Sequence, residues 1–156
     1  MDRTNQIDTF NRFARVSRET IISLKDFEKE LLKANKSTNL IGRSTIDQIW
    51  HRHILDSFQL IDFIDKEDNE ITDFGSGAGF PGLIIAIAAK DRKKRLKIKL
   101  IEKSSKKTKF LRSMIKSLNL NVEVICENIL EQNHKISGEL FVARAFKPLP
   151  EILKLI

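Results

Sequence analysis

The most informative stretch of the sequence is a glycine-rich turn at residues 73 to 82, which reads DFGSGAGFPG. Glycine allows a backbone to approach a ligand closely and permits positive φ angles. A turn of this kind between a strand and a helix also directs free amide groups toward a ligand. The segment therefore predicts a nucleotide-type cofactor site, and the alternative is a plain turn without a ligand.

Two classes of cofactor fit this turn. Residues 77 to 82 satisfy the dinucleotide pattern G-x-G-x-x-G, and Glu102 follows 20 residues later, as that pattern requires. However, the apolar strand stops at Phe74, so a pattern counted from Gly75 would need glycine where Phe80 stands. Counted from there, the turn reads G-x-G-x-G after an acidic residue, which is the arrangement of S-adenosylmethionine-dependent methyltransferases.

Several positions in this turn are candidates for cofactor contacts. Gly75 and Gly77 would pack against the methionine portion of the cofactor. Asp73 can accept a hydrogen bond there and complement the ammonium or sulfonium charge, or it can cap the following helix. Phe80 precedes a proline that suits a first helical turn, and its ring is expected in the cofactor site or in the core.

Glu102 lies at the end of the second predicted strand. There its carboxylate is placed to accept hydrogen bonds from both ribose hydroxyl groups of the cofactor. The alternative is a surface carboxylate that pairs with Lys103 or Lys106.

Positive charge is concentrated in one stretch of the chain. Residues 90 to 116 hold 13 basic and 2 acidic side chains, whereas the whole chain has a net charge of +7. Such a patch attracts phosphate backbones through counterion release, although a solvated lysine-rich helix is the alternative. The expected phosphate contacts are Lys106, Lys107, Lys109 and Arg112.

The pattern of apolar residues divides the chain into two zones. Residues 1–66 show helical spacing and predict a helical segment packed on the core, with a third helix that starts at a capping box of Thr45 and Gln48. Residues 67–156 alternate strands and helices and predict a Rossmann-like α/β core with a parallel sheet. The predicted strands are 71–74, 97–101, 122–126 and 140–143, and the predicted helices there are 83–90 and 106–118, with a last helix from Leu149.

Composition excludes several classes of protein. The sequence has no run of about 18 apolar residues that could span a membrane, and it starts without an apolar signal segment. Cys126 is the single cysteine, and its apolar neighbours predict a buried, reduced thiol. No His or Cys cluster has metal-ligand spacing. We therefore expect a cytoplasmic monomer without a metal site, and His134 in a loop.

Five segments in order resemble one known family over nearly the whole chain. They are Asn39-Leu40, WHRHILDS at 50–57, DFGSGAGFPG, EKSSKKTKFL at 102–111 and ARAF at 143–146. This set resembles the family of ribosomal RNA small subunit methyltransferase G, also called glucose-inhibited division protein B. The resemblance implies transfer of a methyl group from S-adenosylmethionine to N7 of one guanine in helix 18 of 16S rRNA, within free rRNA or the small ribosomal subunit.

The resemblance also implies roles for individual residues. It places Gly75 and Phe80 in the cofactor site and Glu102 on the ribose. It also places Arg144 at the edge of the active site, as the catalytic residue and as a further cofactor contact. Ile129 and Leu130 match the loop that contacts adenine, but many relatives have an acidic residue where Leu130 stands. The alternative for these two residues is core packing.

Methylation of guanine N7 makes modest chemical demands, because this nitrogen has a lone pair and no proton. No general base is needed, so catalysis rests on positioning the cofactor and an extruded base. Arg144 could donate to guanine O6 or to a phosphate, or form a salt bridge at the strand end. His53 and Asp56 share a helix face and are expected to bond to the backbone of the cofactor turn, unless they form a buried structural pair.

The family's complete sheet has seven strands, whereas four are predicted here. The resemblance therefore implies a sheet shortened after the fourth strand, with that strand at an open edge and a cofactor pocket that is incompletely walled. Three other functions stay open: a non-catalytic RNA-binding remnant of the family, an NAD-dependent oxidoreductase, and a methyltransferase with another substrate.

Overall fold

A four-stranded parallel sheet forms the centre of the protein in a computed structural model that describes residues 2–92, 95–132 and 135–156. The strands are β1 (Glu70–Phe74), β2 (Lys97–Ile101), β3 (Val122–Ile125) and β4 (Leu140–Ala143), in the order β3-β2-β1-β4. Phe74 at the end of β1 is in register with Ile101 and with Ala143, and Ile101 with Ile125. The loops that follow all four strands therefore leave the sheet at one edge.

Helices surround this sheet and precede it. They are α1 (Arg3–Ala14), α2 (Arg18–Thr38), the single turn α3 (Asp56–Phe58), α4 (Gly82–Asp91), α5 (Ser105–Leu118) and the short α6 (Leu149–Ile152). Three of them begin at a side chain that accepts a hydrogen bond from a free backbone amide: Asp2 before α1, Ser17 before α2 and Ser104 before α5. None of the helices within the described ranges is long and apolar enough to cross a membrane.

Residues 43–63 are helical, but they do not form one regular helix. A 3₁₀ turn (Arg43–Gln48) leads into a π-helix (Trp50–Leu55), then α3 and a second 3₁₀ turn (Gln59–Phe63). The predicted capping box at Thr45 is wrong, because the segment begins at Arg43 and the Thr45 hydroxyl donates to the carbonyl of Gly42. Single π-helical turns often occur at functional sites, and this one contains His53.

One hydrophobic core joins the helical zone to one face of the sheet. Helix α4 is buried from Gly82 to Ala89, and it packs on Ile71, Ile98 and Leu100. The same core extends to Phe10, whose ring makes edge contacts with Trp50 and Phe58 at centroid distances of 5.4 and 5.1 Å. Folding of the N-terminal helices is therefore coupled to folding of the sheet.

The predicted strands and helices lie close to the observed ones, with a few differences. The predicted burial of Cys126 is wrong: β3 ends at Ile125, so the thiol lies outside the strand and is exposed. Strand β4 pairs only with β1 among the described residues, as expected for an edge strand. His134 lies outside the described residues.

Candidate functional site

A cavity of about 500 Å³ lies at the edge of the sheet where the strands end. Ligands of open parallel sheets bind at this edge, outside the carboxyl ends of the strands. The wall is formed by the loops after all four strands together with residues 40–42 and His53. The lining residues after the strands are Gly75–Ala78, Phe80, Ile101–Lys103, Lys107, Glu127–Leu130 and Arg144–Lys147.

The glycine-rich loop forms one side of this cavity. Gly75, Gly77 and Gly79 have φ angles of 69°, 56° and 93°, in the left-handed region that side chains disfavour. A Cβ atom on Gly75 would lie 2.3 Å from the ring of Phe146, which packs directly on the loop. The sequence pattern therefore reflects both backbone conformation and a close contact with the loop after β4.

Glu102 holds this loop in place. It is buried, its Oε2 accepts from the amide of Gly77 at 2.9 Å, and its Oε1 accepts from the amide of Ser104 at 2.8 Å. Each carboxylate oxygen can accept a second hydrogen bond, and the side chain lines the cavity. The structure thus has a buried acceptor at the cavity instead of a surface carboxylate paired with lysine.

Asp73 is not among the residues that line the cavity. The side chain is fully buried toward α4, and Oδ2 accepts at 3.0 Å from the amide of Gly82, the first residue of that helix. Burial raises the pKa of Asp73 to about 7, mainly because an ionised carboxylate loses its hydration there. The carboxylate thus supports the helix behind the loop, and its contact with the cofactor stays a prediction.

Phe80 belongs to the cavity and to the core at once. Its ring lines the cavity, contacts Phe27 edge-on at 5.5 Å and stacks on His53 at 5.0 Å.

The loop after β3 also forms part of the cavity wall, since Ile129 and Leu130 both line the cavity. Ile129 is buried as well, whereas Leu130 is exposed.

Arg144 lines the cavity, and three of its atoms contact the π-helix and the first residue of α3. Nη1 lies 2.9 Å from His53 Nδ1, Nη2 donates to the carbonyl of Arg52 at 2.6 Å, and Nε lies 3.2 Å from Asp56 Oδ2. The sequence left two alternatives for Arg144, a salt bridge at the strand end or a place in the active site. The structure shows the salt bridge and places the side chain in the cavity as well. His53 and Asp56 contact this guanidinium and not the backbone of the glycine-rich loop.

The four basic residues expected to contact RNA divide into two sets. Lys107 lines the cavity, whereas Lys106, Lys109 and Arg112 are exposed along α5. Arg112 also donates to the carbonyl of Val124 at 3.2 Å.

The sequence analysis missed other cavity residues. Lys103 and Lys147 add positive charge to the wall, and Glu127 and Asn128 add polar groups after β3. The rule that ligands bind where parallel strands end could have identified all of them, because each directly follows a predicted strand or motif. Within the described parts of the chain, no three His, Cys, Asp or Glu side chains are grouped to hold a metal ion.

The parallel sheet and the cavity at its strand ends define a Rossmann-like α/β protein with a candidate ligand site. The family model "rRNA small subunit methyltransferase G" matches residues 20–156, and the chain belongs to this family. Ribosomal RNA small subunit methyltransferase G of Pelagibacter ubique is 47% identical over 90% of this chain and 67% of its own length. The corresponding protein of Cereibacter sphaeroides is 40% identical over 90% and 68%.

The chain thus spans about two thirds of the length of the curated relatives that it matches. Similarity to solved structures is more distant. Coclaurine N-methyltransferase bound to N-methylheliamine and SAH gives a TM-score of 0.49 with 13% identity, over 90% of this chain and 48% of that chain. The family assignment therefore rests on the sequence matches.

Proposed function

We propose that this chain binds S-adenosylmethionine and methylates N7 of a guanine in helix 18 of 16S rRNA. One observation carries the proposal: the glycine-rich loop, the carboxylate of Glu102 and the guanidinium of Arg144 line a single cavity. The family of the chain supplies the class of reaction. A cytoplasmic monomer acting without a metal on free rRNA or the small subunit is part of the same proposal.

The residues of the cavity fit an adenosyl cofactor. Glu102 has two oxygens that can each accept a ribose hydroxyl, and Gly75 and Gly77 line the cavity without side chains. Ile129 and Leu130 provide an apolar surface for an adenine ring. The bound cofactor supplies an electrophilic methyl group on its sulfonium, and these residues orient it.

The arrangement suits a nucleophile that carries no proton. His53 could act as a general base only through a free ring nitrogen, and both of its nitrogens are engaged, by Arg144 and by the Thr45 hydroxyl. Guanine N7 needs no base, so the task of the protein is to align N7, the methyl group and the sulfur. Arg144 can donate to guanine O6 and leave N7 free for attack.

Phosphate contacts are assigned to the basic residues on and near the cavity. Lys107 lines the cavity next to Lys103, and α5 continues this charge along the surface with Lys106, Lys109 and Arg112. An RNA strand that reaches the cavity would cross this helix. Its affinity should fall steeply as salt concentration rises, because each phosphate contact releases condensed counterions.

Transfer of a tritiated methyl group to small ribosomal subunits that lack the modification tests the proposal. The expected result is incorporation at one guanine, mapped to N7 in helix 18. RNA binding without transfer would favour the non-catalytic remnant, and a label elsewhere would favour another substrate. Binding of a nicotinamide cofactor in place of S-adenosylhomocysteine would contradict the proposal.

A pair of acidic variants tests the cofactor site separately. Glu102→Ala should weaken binding of S-adenosylhomocysteine by at least about tenfold, measured by isothermal titration, since a buried acceptor is lost. Glu123→Ala is the matched control, because Glu123 is exposed on β3 and pairs with Lys97 away from the cavity. Equal affinity of both variants would remove Glu102 from the site.

A further inference from the structure

A line of hydrogen bonds runs from Arg144, directly after β4, to Gly42 in the N-terminal part of the cavity wall. Arg144 Nη1 lies 2.9 Å from His53 Nδ1, and His53 Nε2 lies 2.8 Å from the hydroxyl of Thr45. That hydroxyl lies 2.8 Å from the carbonyl oxygen of Gly42. Arg144, His53 and Gly42 all line the cavity, so the line connects two parts of its wall that are far apart in sequence.

The direction of every bond in this line follows from what each group can donate. A guanidinium has no acceptor, so Nδ1 of His53 must accept from Arg144. A carbonyl has no proton, so the Thr45 hydroxyl gives its single hydrogen to Gly42 and accepts from Nε2 of His53. The imidazole is therefore neutral, with its proton on Nε2.

We infer that His53, together with Asp56, is a positioning residue that fixes the guanidinium of Arg144 at the cavity. One N–H group on each of the two terminal nitrogens of Arg144 is engaged, by His53 and by the carbonyl of Arg52, and Asp56 forms an ion pair with Nε. Each terminal nitrogen carries a second N–H group that can meet the substrate. The inference rests on the proposed function, in which those groups meet guanine O6 or an RNA phosphate.

The surroundings of His53 maintain the state that this role requires. Its ring stacks on Phe80 at 5.0 Å, which limits rotation. Burial, followed by the charges of Arg144 and Arg52, lowers the pKa of His53 to about 4, whereas Asp56 acts in the opposite direction. A protonated imidazole would lose its acceptor and repel Arg144, so the neutral ring keeps the contact at neutral pH.

Nitrogen NMR of the chain tests the positioning role without an activity assay. We expect an unprotonated Nδ1 and a protonated Nε2 at His53, and slow solvent exchange of the Nη1 N–H that Arg144 directs at His53. His53→Phe keeps a ring on Phe80 but removes the acceptor, and it should speed this exchange by at least about tenfold. His53→Asn places an acceptor oxygen near the position of Nδ1 and should restore slow exchange.

Two results of that experiment would overturn the inference. One is a proton on Nδ1, and the other is an Arg144 exchange rate that does not differ between the wild-type chain and His53→Phe. His51→Phe is the matched control, because His51 is exposed on the same π-helix. It should leave the Arg144 exchange rate unchanged.

Methyl-transfer kinetics supply the functional test. His53→Phe should lower kcat by at least about tenfold, because a misplaced guanidinium misaligns the base, with the affinity for S-adenosylhomocysteine changed less than about twofold. His53→Asn should recover most of kcat. A loss of cofactor affinity and thermal stability without a specific loss of kcat would indicate a merely structural histidine. A wild-type chain without methyl transfer would refute the proposed function, while the NMR result would still decide the placement of Arg144.

Discussion

The two faces of the sheet differ in what covers them. Residues alternate between the faces along each strand. On one face Ile71, Ile98 and Leu100 are buried under α4 in the large core. On the other, ion pairs lie near the strand starts, between Lys99 and Glu70 at 2.8 Å and between Lys97 and Glu123 at 3.3 Å. Phe74 and Ile101, at the strand ends on that face, form a small buried cluster with Ile129, and the partly buried Phe141 packs against it.

This difference separates stability from function within one sheet. The α4 face provides a closed core that holds the strands in register. The other face is half polar, and its apolar part meets the cavity at Ile101, which belongs to the small cluster and also lines the cavity. Substitutions on the first face should therefore lower the free energy of unfolding, whereas substitutions near the strand ends should act on ligand binding.

The largest expected effect tests this comparison with one side-chain change on both faces. Ile98→Ala on β2 empties a fully buried site and should cost about 2–5 kcal/mol in the free energy of unfolding. Ile125→Ala on β3 removes the same atoms from a partly buried site on the other face and should cost about 1 kcal/mol. Urea unfolding measures both. Equal losses would show that the two faces contribute alike.

A smaller effect is expected where the glycine-rich loop meets the end of β4. Gly75→Ala places a Cβ atom 2.3 Å from Phe146 at a positive φ angle, which should cost about 1–3 kcal/mol and also weaken binding of S-adenosylhomocysteine. Gly42→Ala is the control on the same cavity, because its nearest neighbour is 4.0 Å away. Thermal unfolding and titration with S-adenosylhomocysteine should show a loss of stability and affinity for Gly75→Ala and little change for Gly42→Ala. Equal losses in the two variants would contradict a steric role for the contact with Phe146.

The pH dependence of stability should show two opposing contributions. The pKa of Asp73 is about 7 in the folded chain and 3.8 in the unfolded chain. The folded chain therefore binds an extra proton at this carboxyl, and it loses that stability as pH rises from about 4 to 7. The pKa of His53 is about 4 in the folded chain and 6.5 in the unfolded chain. The folded chain therefore gains stability as pH rises from about 4 to 6.5. The two slopes partly cancel in the wild-type chain.

Removing either group should reveal the other. Asp73→Asn can keep an acceptor for the amide of Gly82, and its stability should increase with pH between about 4 and 6.5 by about 1–2 kcal/mol, since His53 is only half-buried. His53→Phe should show the opposite slope. Urea unfolding at a series of pH values measures both, and parallel profiles for the two variants would contradict the assignment.

Much of this architecture could be predicted from local sequence, and the reasons for the failures are physical. The alternation of strands and helices, the loop and the carboxylate of Glu102 follow from periodicity and motif spacing. Alternation also places Asp73 on the same face as Ile71, toward α4, but the motif directed attention to the cofactor. The burial expected for Cys126 relied on apolar neighbours, although β3 ends before it.

Two features could not be found in a single sequence. Apolar residues four apart, such as Trp50 and Ile54, suit an α-helix and a π-helix alike, so the π-helix was not predicted. The contact of His53 with Arg144 joins residues that are 91 positions apart, and only the register of β4 beside β1 brings them together. Tertiary packing, not local preference, determines both.

The smallest effect is expected at the ion pair on the polar part of the sheet. A double-mutant cycle with Lys99→Ala and Glu70→Ala should give a coupling energy of about 0.2–1 kcal/mol, because both side chains are partly exposed and solvent screens their attraction. High salt should reduce this value further. A coupling as large as the loss from Ile98→Ala would mean that the polar part of this face contributes to stability as strongly as the core under α4.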